Sequence, residues 1–285
     1  MISDNQTNTI YFSELLKTDN RYSSIYKDIE SKLADFGIKP KLLPKTKDIW
    51  ARDYMPIQVK DTKYVEYRYD PDYLQAKKWR KLKSYPDIIC DAINRSTEKT
   101  DLIIDGGNVV KSSNAIILTD KVVSENKDSF TEAKLIEELK KLFDVKKVIL
   151  IPWDKKSEEY GHSDGMLRFI DDTKVLIQGY YNCDDYSNEF RTKLFGALKD
   201  NGIDWVEMKF NVKNEDDRNW VYMNFLQTKD VILLPKLDIP EDAQALAQIE
   251  KHFPQYRDGR VIQIKMDAIV AKGGALNCIS WTTKE

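Results

Sequence analysis

At 285 residues, 41% of them hydrophobic and 11% aromatic, the chain is long enough to bury a sizeable core. Its 45 lysines and arginines against 47 aspartates and glutamates leave a formal net charge of −2, so no global attraction to nucleic acid or to an anionic membrane is implied. Three widely spaced cysteines, Cys90, Cys183 and Cys278, include no C-x-x-C pair, which argues against a disulfide framework or a zinc site and for a reducing compartment.

The first residues, MISDNQTNTIYF, lack a basic segment followed by an apolar run, and no apolar stretch approaches membrane-spanning length; a cytoplasmic location is expected. Residues 20–36 place Ile25, Ile29, Leu33 and Phe36 at helical spacing and stop at Gly37. IKPKLLP reads as a short strand, and DIWARDYMP as a loop or strand end carrying Trp50, Arg52 and Asp53 before extended structure resumes. KYVEYRY alternates as a strand, and YLQAKKWRKL begins a basic helix that Pro86 interrupts. DLIIDGGNVVKSSNAIILTD reads as a strand, a Gly-Gly turn and a strand pairing back as a hairpin.

The second half repeats this in kind. A helix over 130–143 leads to the strand KKVILIPW and the polar loop KKSEEYGHSDG, then to a strand pair across Asp171 and Asp172. EFRTKLFGALKDNG is predicted helical, DWVEMKF, WVYMNFLQT and VILLP extended, and DAQALAQIEKHF helical; VIQIKM, AIVAKGG and ALNCISW close the chain. About five units of helix, strand, loop and strand pair fit. This alternation predicts an α/β or α+β fold, and the hairpins between helices argue against a plain parallel βα barrel. No Pro-, Gly- or Ser-rich linker divides it, so residues 1–285 are expected to form one domain.

Four loops gather reactive side chains beside glycine, tryptophan or proline: Trp50-Ala51-Arg52-Asp53 with Pro56, Asp105-Gly106-Gly107-Asn108, Gly161-His162-Ser163-Asp164-Gly165, and Gly273-Gly274 through Cys278. Taken singly each has an ordinary structural reading: an ion pair beside a core tryptophan, a hairpin turn, a hydrogen-bonded loop, a small buried cysteine. Taken together they supply a nucleophile with its partners. A cysteine attacking an electrophilic carbon needs a proton shuttle, and of the two histidines His162 lies on a loop whereas His252 ends a helix. A carboxylate such as Asp105 could orient it. One histidine without paired ligands is thin for zinc, and no P-loop is present. The two remaining carboxylates, Asp53 and Asp164, suit a planar cation beside an aromatic ring such as Trp50, as a guanidinium offers five N–H donors and a stacking face.

At this point the chain resembles the agmatine deiminase and bacterial-type peptidylarginine deiminase family. That family's motifs are similar to W-x-R-D-x-x-P, an acidic residue before Gly-Gly, G-H-x-D, the S-Y-x-N-F strand matched by NWVYMNFLQTKDVILLP, and a C-terminal G-G-x-x-H-C-x-T. The resemblance implies a pentein fold, a five-bladed pseudo-symmetric ring of ββαβ modules around a central active site. It implies that Cys278 attacks the guanidinium carbon, that His162 protonates the departing ammonia and then activates water, and that Asp105 pairs with His162. It further implies that Asp53 and Asp164 grip the guanidinium, that Trp50 packs against it, that Asn224 lines the pocket, and that no metal or organic cofactor is needed. Gly273 and Gly274 would let the backbone turn close to the substrate.

Three positions depart from the pattern: Asn277 stands where histidine is usual, Ser280 where threonine is common, and Asp105 where many agmatine deiminases have glutamate. Asn277 therefore bears on which substrate is selected. Arg68, were it to face the pocket, would favour a carboxylate as in arginine, whereas Glu158 and Glu159 could receive the amine of agmatine; all three could also be solvated. The sequence thus supports a deiminase of agmatine first, a deiminase of free or peptidyl arginine second, and a guanidine-binding protein without turnover last.

Overall fold

The computed structural model describes residues 1–182 and 186–285; Cys183 lies outside the described residues. Strand β1 (Thr9–Ser13) leads through α1 (Glu14–Thr18) and α2 (Ser23–Ala34) to β2 (Lys41–Leu43), which runs parallel to β1. A short helix, α3 (Ala51–Tyr54), precedes the hairpin of β3 (Ile57–Lys60) and β4 (Lys63–Arg68); α4 (Lys77–Arg80) and α5 (Pro86–Ala92) then lead to β5 (Glu98–Ile103), parallel to β4. The same order returns in β6 (Val110–Lys111), β7 (Ala115–Thr119), α6 (Lys121–Asn126), α7 (Glu132–Phe143) and β8 (Lys147–Ile151). It returns again in β9 (Leu167–Asp171), β10 (Lys174–Gln178), α8 (Asn188–Asp200) and β11 (Asp204–Met208), and in β12 (Leu226–Gln227), β13 (Ile232–Lys236), α9 (Glu241–His252) and β14 (Val261–Lys265). After α10 (Asp267–Val270), β15 (Ser280–Thr283) pairs antiparallel with β1 and completes the first module's sheet.

Among the described residues there are therefore five three-stranded sheets, each with one antiparallel and one parallel pair. The parallel pair explains the helices, because two parallel neighbours need a crossover long enough to return the chain to the starting edge. The middle strands β7 and β13 open on apolar runs, AIIL and ILLP, that are buried on both faces of the strand. In α7, Leu135, Leu139 and Phe143 recur every fourth residue and are buried as one stripe, and the helix stops at Asp144 in the left-handed conformation (φ 52°). The five ββαβ modules expected from the sequence are present.

Several local expectations are corrected. Phe36 lies beyond the end of α2 and is exposed, so the apolar stripe stops at Leu33. Pro86 starts a helix rather than interrupting one, because its missing N–H costs nothing at the first helical position. Gly106 and Gly107 do not turn a hairpin: β5 belongs to the sheet of β4 and β6 to that of β7, so this turn carries the chain from one module to the next. WVYMNFLQT is mostly a 3-10 turn over Asn219–Tyr222 with only Leu226–Gln227 extended, and Cys278 precedes β15 rather than lying within it.

Candidate active site

The connections between modules carry nearly all the chemistry. Trp50 and Asp53 lie between β2 and β3, Asp105 between β5 and β6, His162 and Asp164 between β8 and β9, Asn224 between β11 and β12, and Gly274, Asn277 and Cys278 between β14 and β15. These are the five equivalent positions of the repeat, which is how residues far apart in sequence meet.

Direct bonds lock the connections together. The Arg52 N–H donates to the Cys278 carbonyl at 3.0 Å, and the Asp164 N–H to the Gly107 carbonyl at 3.1 Å. Asn224 Oδ1 accepts from the Asn277 and Cys278 N–H groups at 3.1 and 3.2 Å, so Asn224 holds the cysteine turn. Two glycines are demanded by close approach. A Cβ on Gly274 would fall 2.2 Å from Trp50 Cζ3, and one on Gly107 would fall 2.5 Å from His162 Nδ1 and 2.8 Å from Asp53 Oδ1.

His162 Nε2 lies 3.1 Å from Asp105 Oδ2, and its Nδ1 3.8 Å from Asp53 Oδ1. Its own N–H donates to Glu158 Oε2 at 2.6 Å. Burial opposes the imidazolium, but Asp53, the Asp105 hydrogen bond and Glu158 outweigh it and raise the His162 pKa to about 10. Asp53 is pushed well above the usual carboxylate range by burial, with His162 opposing and Asp105, Asp164 and Asp48 adding to the rise. Burial, then Asp164 and Asp53, push the Cys278 thiol well up. The site thus gathers more carboxyl groups than cations around a histidine whose charged form is favoured and a thiol whose neutral form is favoured.

Asp53 Oδ1 and Asp164 Oδ1 are buried without hydrogen-bond partners. Buried carboxylate oxygens ordinarily have donors, so a pair left open marks a place for a ligand's N–H groups. The second oxygen of Asp164 is taken: Asn277 Nδ2 donates to it at 2.6 Å. Asn277 therefore contacts Asp164, a role its sequence position did not suggest.

Beside these residues lies a cavity of about 240 Å³. His162, Asp164, Asn224 and Cys278 line it on the reactive side, and Glu158, Glu159, Tyr160, Tyr180 and Trp220 elsewhere. Arg68 is a correction: its side chain is 57% exposed and paired with Asp70 at 2.8 Å, outside the cavity lining, because it closes strand β4 on the outer surface. Glu158 was visible in sequence only as one of two acidic residues; its capture of the His162 N–H was not. Among the described residues no three His, Cys, Asp or Glu side chains are grouped to hold a metal ion.

The family model of the Porphyromonas-type peptidyl-arginine deiminases matches residues 10–283. The chain belongs to that family. Within it, the chain is similar to a proposed agmatine deiminase of Listeria monocytogenes, at 23% identity over 278 residues, covering 82% of this chain and 73% of the relative. Another, from Mycoplasma mycoides, is 22% identical and matches 71% of this chain, which spans only 63% of that relative's length. Two solved structures share the fold across all of this chain and 95% of theirs: the C. jejuni agmatine deiminase, at 16% identity and a TM-score of 0.75, and the Enterococcus faecalis agmatine deiminase, at 17% and 0.71. The deiminase family and its pentein fold agree with the five modules described above.

Proposed function

We propose that the protein hydrolyses the guanidinium of agmatine to N-carbamoylputrescine and ammonia, with residues 1–285 acting as one catalytic domain in the cytoplasm. One observation carries the reading: two buried carboxylates, Asp53 and Asp164, each present an unpartnered oxygen beside a buried cysteine and a histidine held by a third carboxylate. A planar cation fits there. Its N–H groups satisfy both oxygens and its charge offsets the excess of carboxylates.

The same charge activates the nucleophile. Burial first, and then Asp164 and Asp53, raise the Cys278 thiol, so a cation bound between the two carboxyl groups offsets their part of that penalty and favours the thiolate next to its target. The thiolate sulfur attacks the guanidinium carbon to give a tetrahedral adduct. The C–N bond then breaks as the His162 imidazolium delivers its proton to the leaving nitrogen, releasing ammonia and leaving a thiouronium on Cys278. Neutral His162 next takes a proton from water, the hydroxide adds to the same carbon, and the C–S bond breaks to return the thiolate while the hydroxyl proton of the adduct passes to solvent, leaving the neutral ureido product. Asp105 keeps the imidazole oriented and its charged form stabilised through both steps.

The cavity walls support an amine rather than a carboxylate on the substrate's far end. Glu158 and Glu159 line them, and no lysine or arginine does among the described residues. Arg68, which in the pocket would have favoured a carboxylate as in arginine, is paired with Asp70 outside the lining. A third reading, binding without turnover, gives no use to Cys278. The thiol chemistry supports a reducing compartment. The test is to incubate the protein with agmatine, free arginine and an arginine peptide and to follow ammonia and ureido product. Agmatine is expected to turn over fastest, with Cys278→Ala inactive. Turnover of none of the three, with Cys278→Ala binding guanidinium ligands as well as the wild type does, would sink the reading.

A further inference from the structure

Lys121, the first residue of α6, belongs to no motif, yet its side chain is only 2% exposed. Lysine is almost never buried so far unless it is paired. Its Nζ donates to the Tyr160 carbonyl at 2.7 Å and lies 3.5 Å from Asp105 Oδ2, 3.2 Å from Asp72 Oδ1 and 3.4 Å from Glu125 Oε1. Asp105 Oδ2 is the same oxygen that His162 Nε2 contacts at 3.1 Å. The stem matters as well: Gly161, at φ 75°, could not carry a Cβ, which would meet Lys121 Cδ at 2.4 Å. The backbone that presents His162 is therefore laid directly on this lysine.

We infer that Lys121 is a positioning residue for the His162–Asp105 pair, sharing the Asp105 oxygen that orients the imidazole and anchoring the 160–162 backbone. The inference rests on the deiminase reading. Its electrostatic content is specific. Asp105 divided between an ammonium and an imidazolium stabilises the imidazolium less than Asp105 alone would, so Lys121 limits how tightly His162 holds its proton. The first half-reaction requires His162 to release its proton to the leaving nitrogen, and the second requires the neutral imidazole that release leaves behind.

The charged and titratable surroundings are these. Asp72, from the turn before α4, Asp105 and Glu125 face the lysine, and the Tyr73 ring lies 4.9 Å from its nitrogen. Burial lowers the Lys121 pKa but Asp105, Glu125 and Asp72 outweigh it, so it stays an ammonium through the neutral range. Burial and Asp105 push Glu125 up to about 7, against Lys121. Asp53, Glu158 and Asp105 act on His162 itself. The Tyr73 ring lies edge-on to Tyr160 at 4.9 Å.

The chain has only two histidines, so the His162 imidazole can be titrated by NMR with His252 as internal reference. In Lys121→Met the His162 titration is expected to rise by about one pH unit and kcat for agmatine to fall about 30-fold with little change in KM, while Lys121→Arg restores most of both. Asp72→Asn should shift it the opposite way, downward by a few tenths of a unit, because Lys121 then acts undivided on Asp105. Asp72 is 66% exposed, so this variant tests the idea even if Lys121→Met does not fold. A pH-independent loss of activity with no movement of the His162 titration in either variant overturns the inference. If the wild type turned over no guanidinium compound, the deiminase reading would fail, yet the same titrations would still decide what Lys121 does.

Discussion

Two buried charge clusters occupy this molecule, and they are built to opposite ends. In one, Asp4 of the N-terminal segment meets Lys111 of β6 and Arg168 of β9: Oδ1 lies 3.2 Å from Lys111 Nζ and Oδ2 accepts from Arg168 at 2.9 Å. Lys111 also donates to the Ile2 carbonyl at 2.9 Å and Arg168 to the Phe225 carbonyl at 2.6 Å. In the other, Asp53, Asp105, Asp164 and Glu158 crowd around His162 and Cys278. Burial alone would raise the carboxyl groups of both Asp4 and Asp53. It is overcome at Asp4, where Lys111, Arg168 and Arg52 hold the pKa down to about 2, and not at Asp53, which stays well above its ordinary range. Matched charge serves structure, whereas the unmatched cluster is the one to which the proposed function assigns the substrate cation.

The largest way to break this comparison is to unmatch the first cluster. Arg168→Met should cost about 3–5 kcal/mol of stability, because it leaves a buried carboxylate short of a partner, while kcat of the folded fraction changes little. Denaturant unfolding and a rate normalised to folded protein check this; equal losses in both would mean the clusters are one unit. The pH dependence follows from sign. The folded pKa of Asp4 is depressed, so its stabilisation is present above the ordinary value of 3.8 and lost as pH falls toward 2. On the order of 2 kcal/mol should disappear across that window, and Asp4→Asn should flatten it.

Asp164→Asn works the other way. It removes half of the unmatched charge, so kcat/KM should fall more than about 100-fold while the melting temperature holds or rises. Near-normal rates would refute the role given to Asp164.

How much of this contrast could be read in the sequence depends on the reach of each interaction. The unmatched cluster was legible because its members are scarce or sit beside turn residues: one loop histidine, a late cysteine, aspartates flanking Gly-Gly and G-H-S-D. The repeat of helices and hairpins gave the five modules. The matched cluster was not legible, since Asp4, Lys111 and Arg168 lie in different modules and look like surface charges. The β1 strand was missed for a similar reason: its antiparallel partner, β15, is some 270 residues away. Lys121 was not singled out, because nothing in the sequence around it marks its contact with Asp105. Asn224 was placed on a strand because WVYMNF is too short an apolar run to separate a 3-10 turn from extended chain.

Proton linkage sharpens the comparison. A cation entering a site where burial and neighbouring carboxylates have raised the Asp53 carboxyl and the Cys278 thiol must release protons. Calorimetry of the wild type with a guanidinium ligand that is not turned over, in buffers of different ionisation enthalpy at pH 7, should report release of on the order of one proton, and less in Cys278→Ala. No release, or uptake, would mean that Asp53 and Cys278 are already ionised before the ligand arrives.

The smallest expected effect concerns the rim, where charge is screened. Glu159 is exposed and lines the cavity, whereas Arg68 is exposed and paired with Asp70 away from it. Glu159→Gln should lower kcat/KM for agmatine about three- to fivefold, mainly through KM, and the difference should fade at high salt because the Debye length there is only about 3 Å. Arg68→Ala should stay within about twofold for agmatine and arginine alike, as expected when an exposed pair is lost. The two variants separate the substrate readings without touching the reacting groups. An Arg68→Ala loss confined to arginine would bring back the carboxylate-recognising pocket; a Glu159→Gln loss confined to agmatine places the amine at the acidic wall.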